Sequence, residues 1–202
     1  MRTVQVDAAR LGRWLDGFVE RHGTWQVEAG ADTVALTGAD GAQAWIEVPY
    51  GPLADPTVRG LIEHVRRPRC IGVLLVRRAG HAAGVFDGST LVRSKVDSSY
   101  VQGTTKAGGW SQQRYARRRA NQASAAFADA ADVAVRVFDG QPIEVLVVGG
   151  DRAAVKSVLA DPRLAHVAQL VGGPWLTVKD PKLKLLEAMP EQFLAVRIAL
   201  DP

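Results

Sequence analysis

The chain has 202 residues, 47% of them hydrophobic and 23% charged, with a net charge of +4 and an isoelectric point near 9.5. These values fit a soluble globular protein with a sizeable core, in one large domain or a compact pair of subdomains, and the basic balance suits a nucleic-acid partner. The single cysteine, Cys70, excludes an intrachain disulfide and a multi-cysteine zinc site. Apolar runs such as residues 71–76 are too short to span a bilayer, and residues 1–10 carry no signal-like apolar segment, so a cytoplasmic location is expected.

Residues 6–23 read as an amphipathic helix. Leu11, Trp14, Leu15, Phe18 and Val19 recur at i, i+3, i+4, i+7 and i+8, with Asp7 as N-cap and Gly23 just past the end. Residues 33–37 and 42–48 read as strands joined by a Gly38-Ala39-Asp40-Gly41 turn. A loop with Gly and Pro follows over residues 49–56, then a short helix over 57–66 that ends before Pro68. Residues 70–78, 81–86 and 90–96 form a three-strand meander, turned at Ala79-Gly80 and at Asp87-Gly88-Ser89.

Residues 98–109 contain Gly103, Gly108 and Gly109 and no apolar periodicity, so they predict a flexible loop. Residues 111–137 predict a long alanine-rich helix with Tyr115, Ala123, Phe127, Ala130 and Val133 near one face. A buried strand follows at 143–148, then a helix from Gly149-Gly150-Asp151 to about Ala160, with Asp151 as N-cap. Residues 167–171 and 175–178 read as short extended runs. Asp180 and Pro181 open a further helix as N-cap and N1, and residues 193–200 read as the last strand. An antiparallel meander followed by alternating helices and strands argues for a mixed α/β (α+β) fold, with helices against a mixed sheet.

The stretch KAGGWSQQRYARRR carries most of the chemistry. Residues 93 to 119 hold seven basic residues (Arg93, Lys95, Lys106, Arg114, Arg117, Arg118 and Arg119) against one acid, Asp97, a net of +6 within a chain of +4. Gly108 and Gly109 let main-chain N–H groups approach a ligand, Ser111 reads as the N-cap of the following helix, and the helix start adds free donors. Gln112 and Gln113 stand at the junction. Arg114, Arg117 and Arg118 share one helical face, with Arg119 to its side, and such a face can track phosphates. Trp110 is placed to fold back or to stack on a base.

KAGGWSQQR before an Arg-rich helix resembles the catalytic loop of the Vms-like release factors, in their actinobacterial branch. These are peptidyl-tRNA hydrolases related to the middle domain of eukaryotic and archaeal class-one release factors. The resemblance covers about residues 70–148 and implies an RNase H-like mixed sheet with a GGQ-type loop before a long helix. In this chain Trp110 and Ser111 separate Gly109 from Gln112. The resemblance implies one release-factor-like domain over 1–202, with 57–202 as its core and 1–56 as an accessory part. It implies hydrolysis of the ester between nascent peptide and tRNA on stalled particles, irrespective of codon. Gly108, Gly109, Ser111, Gln112 and Gln113 would form the catalytic loop, with Gln112 in the catalytic place. Lys106, Trp110, Arg114, Arg117, Arg118 and Arg119 would contact RNA. The implied partners are the large ribosomal subunit, peptidyl-tRNA and rRNA, with no cofactor and no metal.

Two other readings stand beside it. One is a non-catalytic ribosome- or RNA-binding module. The other is a Mg-dependent RNase H-like nuclease, which needs carboxylates such as Asp87, Asp97, Asp132 and Glu144 to converge. His22, His64, His81 and His166 are scattered without ligand spacing. Arg66, Arg67 and Arg69 form a second basic cluster, and Trp14, Trp25, Trp45 and Trp175 sit in apolar contexts expected to be buried or half-buried.

Overall fold

The computed structural model describes residues 1–77, 80–97 and 111–201; for residues 111–123 it describes the helical backbone alone. In chain order the elements are β1 (Arg2–Asp7), α1 (Leu11–His22), β2 (Trp25–Ala29), β3 (Thr33–Gly38), β4 (Gln43–Glu47), α2 (Val58–Arg66), β5 (Cys70–Arg77), β6 (Gly80–Asp87), β7 (Thr90–Asp97), α3 (Ser111–Phe138), β8 (Val145–Gly150), α4 (Arg152–Leu159), α5 (Ala165–Ala168), α6 (Leu183–Glu187), α7 (Pro190–Phe193) and β9 (Ala195–Asp201). They form a mixed α/β structure in two compact units. One unit comprises Met1–Pro68 with Pro190–Pro202, and the other Arg69–Met189.

The first unit is an antiparallel sheet in the order β1-β9-β4-β3-β2. Val34, Leu36, Ala44 and Ile46 alternate with more exposed residues, and register places Ile46 between Val34 and Ile198. Leu11, Leu15 and Phe18 of α1 and Leu61 and Val65 of α2 join these strand residues in one core. Burying each such side chain contributes about 1.5–3 kcal/mol, which is why the i, i+4, i+7 stripe of α1 holds the helix in place. Gly23 ends α1 with φ 76, a left-handed angle that favours glycine, and its N–H returns to the Val19 carbonyl at 2.9 Å. Thr57 caps α2, accepting from the Gly60 N–H at 2.9 Å.

The second unit is a sheet in the order β7-β6-β5-β8. Its first three strands are the antiparallel meander, and β8 pairs parallel to β5, with Ile71 opposite Val145 and Val76 opposite Gly150. One face carries Leu74, Val76, Ala83, Val85, Leu146 and Val148. It is covered by Ala130, Val133, Ala134, Val137 and Phe138 of α3 and by Ala154, Val155 and Val158 of α4. On the other face a Cβ on Gly84 would fall 3.0 Å from Leu186 of α6, and one on Gly149 would fall 2.6 Å from Leu176 Cβ. Those close approaches are why both strands carry glycine there.

Several elements depart from the sequence reading. Residues 2–7 form a strand paired with β9, and Asp7 accepts from the Ala9 N–H at 2.8 Å, so it caps a single 3-10 turn before α1 instead of α1 itself. Residues 25–29, unassigned from sequence, pair with β3 as an edge strand. Residues 165–168 of the expected extended run are a helical turn, and Val171 makes one isolated bridge to Leu146. Asp180 does not cap a helix: its carboxylate pairs with Lys182 at 2.9 Å, Pro181 is buried, and α6 starts at Leu183. Phe193 closes α7 instead of opening β9. Ser111 is the first residue of α3 and stands inside the helix, one place beyond an N-cap.

Candidate functional site

The motif of the sequence reading leads into α3, and α3 is anchored by its far end. The helix has 28 residues, about 42 Å at 1.5 Å per residue. Ser124 and Ala125 are exposed, Ala126 and Phe127 half-buried, and Ala130, Ala131, Val133, Ala134, Val137 and Phe138 buried. Ser111 therefore lies about 28 Å along the axis from Ala130. The anchored end is tied further by polar contacts. Arg93 of β7 donates from Nη1 to the Asp139 carbonyl at 3.2 Å, and Arg163 bridges Asp132 of α3 and Asp161 at 2.7 Å each. The Arg163 side chain and N–H donate to Asp161 and hold its carboxyl at about 2.

Ser111, Gln112 and Gln113 make the first turn of α3, and Arg114, Arg117, Arg118 and Arg119 lie in the next two. Eighteen residues are about five helical turns, so Gln112 sits at the register position of Ala130, whereas Arg114 and Arg118 sit at those of Asp132 and Arg136. The glutamines and arginines thus occupy different stripes. Lys106, Gly108, Gly109 and Trp110 lie outside the described residues, as does the loop expected over 98–109.

The motif loop departs from the sheet end where β7 stops. There Asp97 pairs with His81, and His81 with Val76. His81 is 3% exposed, and its Nε2 has no hydrogen-bond partner among the described residues. Burial holds its pKa below the usual histidine value, partly opposed by the carboxylates of Asp97 and, from α3, Asp129.

The carboxylates proposed for a nuclease do not meet. Asp87 pairs with Cys70, and Glu144 accepts from the Cys70 N–H at 3.2 Å, both at the sheet end opposite Asp97. Asp132 is held by Arg163. No group of three His, Cys, Asp or Glu able to hold a metal occurs among the described residues. Cys70 is half-buried, and burial raises its thiol pKa, with Glu144 and Asp87 adding to the effect. His22 pairs with Asp40 at 2.9 Å and His64 with the Pro49 carbonyl at 2.9 Å, so the histidines do not gather. The cluster of Arg66, Arg67 and Arg69 is not a free charge run: Arg69 is buried, and Arg66 donates to the Ala9 carbonyl at 3.3 Å. Trp14, Trp25, Trp45 and Trp175 are half-buried. Sequence reasoning missed a pair of arginines, Arg77 and Arg152, that tertiary pairing sets beside Trp175; an arginine directly after Gly149-Gly150-Asp151 was the one local signal.

Fold and motif together describe a release-factor type of protein. The family model for the Actinobacteria/chloroflexi VLRF1 release factors matches residues 69–199, and the chain belongs to that family. Solved structures with a similar chain path include one described as an archaeal protein, at 17% identity and TM-score 0.40, covering 78% of this chain and 51% of that one. Another is the archaeal translation termination factor aRF1, at 14% identity and TM-score 0.40, covering 80% and 49%. The chain spans about half the length of each. No curated protein matches the sequence. Among the described residues no helix is long and apolar enough to cross a membrane.

Proposed function

We propose that this protein is a peptidyl-tRNA hydrolase that frees nascent chains from stalled ribosomes or large subunits in the cytoplasm. One observation carries the reading: Ser111-Gln112-Gln113 form the first turn of a 28-residue helix whose other end is locked into the sheet. That arrangement supports a lever that delivers a short motif into a narrow RNA-walled cavity. The meander with one parallel strand added beside β5 also supports an RNase H-like core of the release-factor kind.

A glutamine amide has no useful pKa, so Gln112 orients the attacking water and does not take its proton. A backbone N–H beside it stabilises the tetrahedral oxyanion, worth about 3–4 kcal/mol for one well-placed donor. The proton moves through the substrate ribose, the ribosome or water. Gly108 and Gly109 allow close backbone approach, Trp110 stacks on a base, and Lys106, Arg114, Arg117, Arg118 and Arg119 hold phosphates of rRNA or tRNA. Chemistry built on positioning alone gives little turnover on free ester compounds.

The test is release from purified large subunits carrying peptidyl-tRNA, comparing the intact chain with Gln112→Ala and Gln113→Ala. Loss of release in the Gln112 variant, with particle binding retained, supports the hydrolase and the residue. Loss only in the Gln113 variant moves the catalytic place by one. Tight binding without any release by the intact chain leaves a ribosome-binding module and ends the enzyme reading.

A further inference from the structure

Three side chains gather around Gly150, where β8 ends. A Cβ on Gly150 would fall 3.3 Å from Arg77 Cδ, at the end of β5. Trp175 donates from Nε1 to the Gly150 carbonyl at 3.2 Å, and the guanidinium carbon of Arg152 lies 4.3 Å from the centre of the Trp175 ring. Gly150 has φ 97, and only a glycine fits there, since a Cβ would also fall 2.1 Å from the Val76 carbonyl oxygen. Both arginines are exposed and Trp175 is half-buried.

Neither arginine has an acidic partner among the described residues. The adjacent carboxylate, Asp151, is turned to the helix, accepting from the Ala153 and Ala154 N–H groups at 2.9 and 3.1 Å. It therefore closes the start of α4, and the Gly149-Gly150-Asp151 turn is a capped β–α turn and not an anion nest. Two uncompensated guanidiniums remain, one of them laid flat on an indole. A flat guanidinium backed by a ring offers its outer face to another planar π system, which a nucleobase has and a carboxylate lacks.

We propose that Arg77, Arg152 and Trp175 form a second contact for single-stranded RNA, in which a base stacks on the Arg152 plate and the neighbouring phosphate is taken by Arg77. The inference deepens the proposed function and rests on its RNA partner. Its place in the sheet fits. β5 and β8 lie two and three strands from β7, so at about 4.8 Å per strand the cluster stands about 10–15 Å from Asp97, on the end of the sheet where β7 stops. One strand of RNA held by the motif helix can reach it.

Fluorescence anisotropy tests this with the full chain and a fluorescein-labelled single-stranded RNA of about ten nucleotides, a usual site size for such contacts. Binding is followed from about 50 to about 200 mM salt. Replacing both Arg77→Gln and Arg152→Gln lowers affinity about tenfold, in the range expected for losing one stacked base. It also reduces the slope of log affinity against log salt by about 1.4, or about 0.7 per charge lost. Arg152→Lys keeps the slope and loses affinity, because the charge stays and the plate goes.

Unchanged affinity and slope in the double variant would overturn the proposal, as would full affinity in Arg152→Lys or no RNA binding by the intact chain. Intact RNA binding with lost attachment to large subunits would assign the cluster to a protein partner and equally overturn it. Release activity separates the two readings. No release, with this RNA contact intact, removes the hydrolase and leaves the contact; normal release with no effect on RNA binding does the reverse.

Discussion

Arg93 on β7 donates to the carbonyl of Asp139, one residue past the end of α3, at 3.2 Å. The strand that leads into the motif loop therefore also holds the opposite end of the helix that leaves it. Chain path and anchor form a closed circuit: β7, the motif, the length of α3, and back to β7. Tension or displacement at the motif is borne by the buried C-terminal part of α3, where Phe138 is 1% exposed, and not by the exposed Ser124 and Ala125.

The length of α3 is then a functional quantity. Deleting residues 120–126 removes about two turns, shortens the helix by about 10 Å and returns the motif to nearly the same azimuth. The anchoring residues from Phe127 onward are untouched, so thermal stability should change little. Nascent-chain release should fall by at least about a hundredfold, as misplacement by even an ångström can do that. Release at the normal rate by a folded deletion variant would show that reach is not what α3 supplies.

Gly149 has no room for a side chain. A Cβ there would sit 2.6 Å from Leu176 Cβ and 2.7 Å from the Leu176 carbonyl oxygen, and backbone cannot swing aside. Gly149→Ala should destabilise the second unit by about 1–3 kcal/mol through overpacking, seen as a lower denaturation midpoint in urea. A midpoint equal to the intact chain would mean that the strand around Leu176 moves away freely.

His81 makes stability depend on pH. Burial lowers its folded pKa below 6.5, the largest cause, while Asp97 from β7 and Asp129 from α3 pull the other way. The folded state thus binds fewer protons than the unfolded chain. The contribution is complete above about pH 6.5 and is lost as pH falls through the folded value. Thermal midpoints measured from about pH 7.5 to about pH 5 should fall, and the fall should be smaller in His81→Leu, which also removes an unpartnered buried nitrogen. Parallel curves for the two proteins would place the titrating group elsewhere.

The parts of the fold legible in the sequence were those written locally. The meander of β5, β6 and β7 follows from runs of apolar residues broken by Asp87-Gly88-Ser89, the long α3 from its alanine-rich periodicity, and the Thr57 and Asp151 caps from one residue and its place. β1 was not legible, since a strand of six residues with Val4 and Val6 half-buried takes its identity from pairing with β9 near the other end of the chain. Short helices such as α6 failed for a similar reason: Asp180 can cap or pair with Lys182, and the surroundings choose. The candidate site divides the same way. The Gln and Arg residues at the start of α3 form a contiguous motif, whereas Arg77, Arg152 and Trp175 are separated in sequence and carry no shared pattern.

The sequence by itself determined that the chain is basic around one glycine-rich stretch, that a long helix follows it, and that Gln112 and Gln113 open that helix. Those properties depend on neighbours a few residues apart, where hydrogen-bond geometry and side-chain period operate. Only the tertiary structure decided that α3 is anchored by its far end, that His81 is buried opposite Asp97, and that parallel pairing of β5 with β8 sets Arg77 beside Gly150 and the stacked Arg152 and Trp175. Each of these depends on which strands find one another across many residues, a choice made by burial of the whole core and not by any one segment.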